Sequence, residues 1–227
     1  AILLGSDNGG TVTPTDGSVT GDKVASSGAF TIGAAGTTSS IAGANILVEA
    51  NSLFIGDDVS GTTDTAANSV AVGIDALDAV TTGDANVAIG KSALTALNSG
   101  ANNIAIGNQA GAAITTGGSN IAIGSNALDA EDTGTQSIAI GASALTNQNN
   151  DTDINNICIG HEAGESITTG RWNHFIGTQA GDDFDTEHNN LGIGYRALGG
   201  SIAGGEYNVA IGNSVLDALT SGDKNTC

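Results

Sequence analysis

The sequence predicts an all-β protein, a parallel β-solenoid (β-roll) of seventeen-residue coils. Three observations lead to this prediction. A five-residue phrase recurs at a fixed spacing, large and small apolar residues alternate inside that phrase, and the composition is too poor in bulky side chains for one thick core. An internal repeat of this kind decides the fold before any local propensity does.

The recurring phrase reads Asn-Ile-Ala-Ile-Gly, as at residues 103–107 and again at 120–124. Its closing glycines stand at positions 56, 73, 90, 107, 124, 141, 160, 177, 194 and 212. Subtracting neighbouring positions gives 17 in seven of the nine steps, 19 in one step and 18 in the last. Chance does not keep such a spacing, so the phrase marks the same point of successive structural units.

Inside the phrase, β-branched residues flank a small one, as in Ile104-Ala105-Ile106. Side chains alternate across a strand, so both Ile side chains share one face and the Ala takes the other. We expect coils to stack at about 4.8 Å, with the Ile column filling the interior and a column of Asn or Ser hydrogen-bonding along the stack. A column of Leu is expected to close the interior from a second segment: Leu77, Leu94, Leu128, Leu145, Leu198 and Leu216.

The composition suits a thin core that is repeated many times. The 227 residues include 35 Gly, no Met and only 3% aromatic residues, so the side chains that usually fill a globular core are scarce. The formal net charge of −19 excludes nucleic acid as a partner. No apolar run approaches the roughly 18 residues of a membrane span, so we expect no membrane insertion in this segment.

The oligomeric state is predicted from the small residues of the phrase. If the Ile side chains point inward, the Ala column is a flat, small, apolar strip on the outside, to which another backbone can come close. So short a coil encloses little core by itself, and we therefore expect a homotrimeric fibre packed through this strip. The alternative is a monomeric solenoid whose Ala face is tolerated. The expected oligomer interface comprises Ala71, Ala88, Ala105, Ala122, Ala139, Cys158 and Ala210.

The domain organisation has two parts. Residues 1–50 do not keep the period and are predicted to be an irregular Gly/Ser/Thr-rich attachment or linker region. Residues 51–227 are predicted to be the solenoid. Because Asn225-Thr226-Cys227 aligns with Asn208-Val209-Ala210, we expect this region to be truncated in mid-repeat.

The repeat is most degenerate where Arg171, Trp172, His188 and Tyr195 occur. Exposed Trp and Arg are favoured in binding surfaces, including those that stack on carbohydrate, so these four residues form a candidate ligand surface. The alternative is local repacking of a wider coil. The three His residues occupy different repeat positions and lack metal-ligand spacing, so we expect no metal and no cofactor.

No nucleophile elbow, phosphate-binding loop or paired carboxylates are recognisable, so the sequence favours a protein that is not an enzyme. A pair of carboxylates assembled across coils for glycan cleavage is the alternative. An ice-binding solenoid needs a regular ladder of Thr. The aligned pairs here, such as Thr115-Thr116 and Asp132-Thr133, are too irregular to favour it.

The phrase Asn-x-Ala-Ile-Gly-x-x-Ala in series resembles the head repeats of trimeric autotransporter adhesins, whose somewhat shorter units form a trimeric left-handed parallel β-roll. The longer form, Thr-Thr-Gly-x-x-Asn-Ile-Ala-Ile-Gly-x-x-Ala-Leu, is similar to repeats in tail fibres and related appendages of bacteriophages. The resemblance covers residues 51–227 and is specific for architecture, not for a ligand.

The resemblance implies a structural fibre segment of a virion appendage, a spacer and host-surface adhesin whose partners are its own copies and a host-surface glycan. Residues 1–50 would then join it to other appendage or baseplate proteins. The alternative is an autotransporter-type adhesin on the bacterial cell surface.

Overall fold

The computed structural model describes residues 38–41, 44–49, 52–56, 66–149, 154–200 and 204–227. For residues 38–49 the description concerns the backbone alone. All described residues belong to one unit, Gly33–Cys227. The predictions made for residues 1–37 lie outside the described residues.

The described residues form twelve strands in one sheet, ordered as they follow one another in the chain. Strands β1 (Thr38–Ile41) and β2 (Ala44–Glu49) are antiparallel, and β2 is antiparallel to β3 (Ser52–Gly56). These first two strands lie in the stretch for which the sequence predicted irregular structure. The strands that follow are β4 Val70–Gly73, β5 Val87–Ile89, β6 Ile104–Ile106, β7 Ile121–Ile123, β8 Ile138–Ile140, β9 Ile157–Ile159, β10 His174–Ile176, β11 Leu191–Ile193 and β12 Val209–Ile211.

Strands β3 to β12 are parallel, each paired with its equivalent in the coils before and after it. The register places Ile104 beside Ile121 and Ala105 beside Ala122. This arrangement confirms the predicted parallel β-solenoid and the predicted length of its coils. Nine steps between ten strands give the stack a length of about 43 Å.

Hydrogen bonds between coils also hold the segments outside the strands. The Leu94 N–H donates to the Ala110 carbonyl at 3.0 Å in the following coil, and the Ser92 N–H donates to the Ile74 carbonyl at 2.8 Å in the preceding one. Because the turns are bonded in both directions, their buried backbone groups are satisfied without regular strands. Each coil is therefore fixed in register at several points round its circumference.

The direction in which the strand residues face is opposite to the prediction. Ala105 is fully buried, whereas Ile104 and Ile106 are 37% and 36% exposed. The prediction that the Ile column fills the interior is therefore wrong, as is the placement of the Ala column on the outside. The physical reason is volume, because the narrow coil already holds the Leu column, of which Leu94 is fully buried, and in most coils this leaves room only for a small residue on the strand side.

The Asn column lies inside the coil, on the same face as the Ala column, and forms the predicted ladder. The Asn103 amide nitrogen donates to the Gly117 carbonyl at 2.9 Å, which closes its own coil. The Asn103 amide oxygen accepts the Asn120 N–H at 3.0 Å, which ties it to the next coil. Asn173 repeats both bonds, to Glu187 and Asn190. Since Asn and Ala are two residues apart on a strand, the inward Asn requires an inward Ala.

Two coils accommodate a large residue at the Ala position: Phe54 in β3, which pairs with Ala71, and Phe175 in β10. Phe175 is fully buried there and meets Phe184 edge to face, with ring centroids 4.9 Å apart. Gly181 occupies the position that Leu94 fills in its coil, and Gly192 occupies the Ala position of the next coil. A Cβ on either glycine would touch the Phe175 ring. Gly111 and Gly164 occupy the position of Gly181 in other coils, whereas Gly192 is the one glycine in the Ala column. The exchange of Ala for Gly192 therefore gives the Phe175 ring its room.

Another coil has a polar interior. Ser137 replaces the ladder Asn, and two buried residues take over its bonding: the Gln148 amide nitrogen donates to the Ser137 hydroxyl at 2.9 Å and to the Glu131 carboxylate at 3.1 Å. Asn156 then donates to the Gln148 amide oxygen at 2.8 Å, and the Glu131 carboxylate accepts the Gly134 N–H at 2.7 Å. The network satisfies polar groups that a buried position requires to be bonded. It lies in the one coil that is two residues longer than the others before it.

Candidate functional site

Two surfaces of the described residues are candidate sites: the outward side of the strands and one corner of the coils. On the outward side, β4 to β12 each contribute two residues, and none of the eighteen is an Asp, Glu, Lys or Arg. We call these two columns the aliphatic wall, since every member except His174 is Val, Ile or Leu. The first column is Val70, Val87, Ile104, Ile121, Ile138, Ile157, His174, Leu191 and Val209, and the second is Val72, Ile89, Ile106, Ile123, Ile140, Ile159, Ile176, Ile193 and Ile211.

All members of the aliphatic wall are at least partly accessible within one chain, and Ile89, Ile176 and Ile211 reach 38%, 39% and 59% exposure. Neighbours in each column stand one coil apart, because the parallel register aligns them. The wall is a long apolar strip on a chain whose net charge is −19.

The predicted oligomer interface does not reach the surface of the chain. Its members are at most 2% exposed and pack in the hydrophobic core of the coils. An apolar contact between copies is therefore available on the aliphatic wall and not on the Ala column. The residues concerned are Ala71, Ala88, Ala105, Ala122, Ala139, Cys158 and Ala210.

The second surface is the corner that precedes the strands. It brings together three of the four predicted ligand residues. The Arg171 guanidinium carbon lies 5.2 Å from the centre of the Trp172 ring, and the His188 ring lies 6.4 Å from the Trp172 ring, edge on. The backbone N–H of Arg171 donates to His188 Nδ1 at 2.9 Å. In the neutral imidazole, Nε2 therefore carries the proton and is a donor.

Tyr195 is not part of this corner. It is 48% exposed, but it follows the closing glycine Gly194, whereas Trp172 precedes the Asn of the phrase. The prediction missed Tyr207, which occupies the same repeat position as Trp172 two coils later and is 52% exposed. Aligning the coils from the Asn of each phrase would have found it.

Two groups among the described residues have a strongly shifted pKa. Burial raises the pKa of the Cys158 thiol well above its ordinary value. Partial burial, with the neighbouring Asp183 carboxylate, raises the pKa of Asp182 to about 6, against the opposite effect of Arg196. Asp182 Oδ1 has no hydrogen-bond partner. Because its folded-state pKa is raised, Asp182 adds stability at low pH and loses that contribution as pH rises through about 6.

Within the described ranges, no three His, Cys, Asp or Glu side chains are grouped as metal ligands. The same part of the chain contains no helix long and apolar enough to cross a membrane. No family model, curated protein or solved structure matches this chain. Its function is therefore inferred from the two surfaces and from the repeat itself.

Proposed function

We propose that this chain is a structural fibre segment that assembles as a homotrimer through its aliphatic wall and serves as spacer and host-surface adhesin in a virion appendage. The observation that supports this proposal most strongly is the extension of the aliphatic wall along nine coils. A solenoid of stacked coils extends by repetition, which suits a spacer.

The extent of the aliphatic wall indicates that another protein chain covers it in the assembled protein. All eighteen side chains of the wall are partly accessible, and they follow one another without interruption along nine coils. The largest apolar patch of a typical monomer is about 300–600 Å², and a standard interface buries about 800 Å² on each partner. A contiguous apolar strip of this length is the kind of surface that marks a contact with another protein chain.

A further copy of the same chain is the partner that fits the aliphatic wall best. Copies share one coil height, so the residues of each layer can meet their equivalents along the whole length of the stack. The wall itself carries no Asp or Glu, so contact there does not bring carboxylates of two strongly acidic copies face to face. The threefold state and the virion location come from the resemblance of the repeat to appendage and adhesin repeats.

The mass in solution tests the assembly. Sedimentation equilibrium of the chain is expected to give about three times 22.0 kDa. The double variant Ile89→Asp/Ile106→Asp is expected to sediment as a monomer, because carboxylates buried in an apolar contact are strongly unfavourable. Its far-UV circular dichroism should stay unchanged, because both side chains point out of the coil.

The matched control is Ser99→Asp/Thr116→Asp, which adds the same charge to exposed positions in the same two coils, away from the aliphatic wall. This variant should keep the mass of the unmodified chain. A mass of 22.0 kDa for the unmodified chain would contradict the proposal, as would an Ile89→Asp/Ile106→Asp protein that remains fully assembled.

A further inference from the structure

We propose that the corner formed by Trp172, Asn189 and Tyr207, with Arg171 and His188 against the Trp172 ring, is a binding site for a neutral oligosaccharide. The inference rests on the adhesin part of the proposed function and gives it a location and a ligand class.

The backbone places Trp172, Asn189 and Tyr207 in one column. Their N–H groups donate to Ile154, Arg171 and His188 in the preceding coil, at 3.0, 3.1 and 3.4 Å. Their φ angles are +58°, +61° and +59°. Three residues with the same bonding and the same backbone conformation leave the coil in the same direction. Their backbone positions therefore follow one another at one coil height, which places Trp172 and Tyr207 two coils apart, about 10 Å along the stack, with Asn189 between them.

These two aromatic residues occupy an exposed turn position. The turn holds this position at φ near +60° in every described coil, a conformation that favours Gly, Asn or Asp over a bulky residue. The other coils place Asn68, Ala85, Asn102, Ser119, Gln136, Asn155, Asn189 and Lys224 there. Trp172 and Tyr207 are 43% and 52% exposed, so packing in the core does not account for the two rings. Exposed aromatic residues that the core does not require are favoured in binding surfaces.

The Trp172 ring is also held in place before any ligand binds. The Arg171 guanidinium lies over the Trp172 ring, and the His188 ring meets it edge on. The hydrogen bond from the backbone N–H of Arg171 in turn holds the His188 ring in place. A cation over an aromatic face contributes about 0.5–1 kcal/mol at an exposed site. Fixing the ring lowers the entropy lost on binding, which is how a small exposed site gains affinity.

The ligand chemistry follows from the groups present. Aromatic rings offer flat apolar faces, which match the C–H faces of sugar rings. The Asn155 and Asn189 amides on either side of Trp172 are both donors and acceptors, as a ring of hydroxyl groups requires. The chain carries a net charge of −19, which opposes an anionic ligand. Because Trp172 and Tyr207 lie two coils apart along the stack, a ligand that reaches both is an oligosaccharide of several sugar units.

The chain contains a single Trp, so its intrinsic fluorescence reports on this site alone. The probes are neutral trisaccharides to hexasaccharides of glucose, galactose, mannose and N-acetylhexosamine units, each titrated to millimolar concentration. At least one series is expected to change the Trp172 emission saturably, with affinity rising with chain length. Tyr207→Ala should weaken that binding by roughly tenfold or more.

Tyr195→Ala is the matched control, because Tyr195 is similarly exposed and lies outside the corner. It should leave the affinity unchanged. The inference is overturned if no probe changes the emission, or if Tyr195→Ala and Tyr207→Ala weaken binding equally. Sedimentation of the same samples separates the two proposals. A chain that assembles but binds no probe would contradict only the glycan site. A monomeric chain that binds a probe would contradict only the proposed assembly.

Discussion

Replacing Gly107 by alanine is expected to lower the free energy of unfolding by about 4 kcal/mol, the largest effect of any single substitution considered for this fold. Gly107 has φ +140°, a conformation that is essentially restricted to glycine. A Cβ there would also lie 2.6 Å from the Gly124 carbonyl carbon and closer still to the carbonyl oxygen. The clash is with backbone, which is bonded to the coils on both sides and cannot yield locally.

Gly204→Ala is the control that separates conformation from clash. Gly204 has φ +83°, but nothing lies within 4 Å of the added Cβ. Its replacement should cost only the conformational penalty, roughly 1–2 kcal/mol. Urea unfolding followed by circular dichroism measures both variants. Equal losses of stability in the two variants would show that the close approach of Gly107 to the Gly124 backbone adds nothing to the cost of a Cβ, and would contradict this account.

Replacing Asn103 by alanine is expected to cost about 3 kcal/mol. The substitution removes the bond to the Gly117 carbonyl at 2.9 Å and leaves the Asn120 N–H without its acceptor. Each buried polar group without a partner costs about 1–3 kcal/mol. Because the ladder bonds one Asn to the next, the loss affects two coils. Thermal and urea unfolding should both show the decrease.

Asn108→Ala is the matched substitution outside the ladder. Asn108 is exposed, and its amide contacts only the neighbouring Gln109 side chain, at 3.3 Å. Its replacement should change stability by less than about 0.5 kcal/mol. If Asn103→Ala were as mild as Asn108→Ala, the Asn column would not be a structural ladder.

The architecture was predictable because repetition removes most of the ambiguity of local sequence. A phrase that returns at a nearly constant spacing can be satisfied by a stack of coils, and the pairing of Ile104 with Ile121 follows directly from that spacing. The inward Leu column was predictable for the same reason, and Leu77 and Leu128 are fully buried.

The direction of the strand faces was predicted wrongly, although the sequence contained the decisive information. Alternation defines two faces but does not say which one is inside, and the larger residues were assigned to the interior because globular cores usually hold them. The position of Asn103 resolves the choice, because a side chain that closes its own coil must point inward and Ala105 shares its face. The polar interior around Glu131 and Gln148 could not be predicted, since it depends on contacts between three coils.

The ligand corner was predicted in part. Arg171, Trp172 and His188 were identified by residue type and do meet in space. Tyr195 was included because it is near in sequence, yet nearness in sequence is a poor guide when the coil carries successive residues to different walls. In a solenoid, repeat position decides which residues are neighbours, and that rule selects Tyr207.

The two native cysteines test the inward orientation of the small residues directly. Cys158 lies in the Ala column and is fully buried, while Cys227 is exposed. Only the thiolate reacts with an aromatic disulfide reagent, and burial raises the pKa of Cys158. One thiol per chain should therefore react promptly, and the second only as fast as the chain unfolds, both in the unmodified protein and in Ile89→Asp/Ile106→Asp. If Cys158 reacted as fast as Cys227 once the aliphatic wall was opened, the small residues would face a contact between chains, and the inward Ala column would be contradicted.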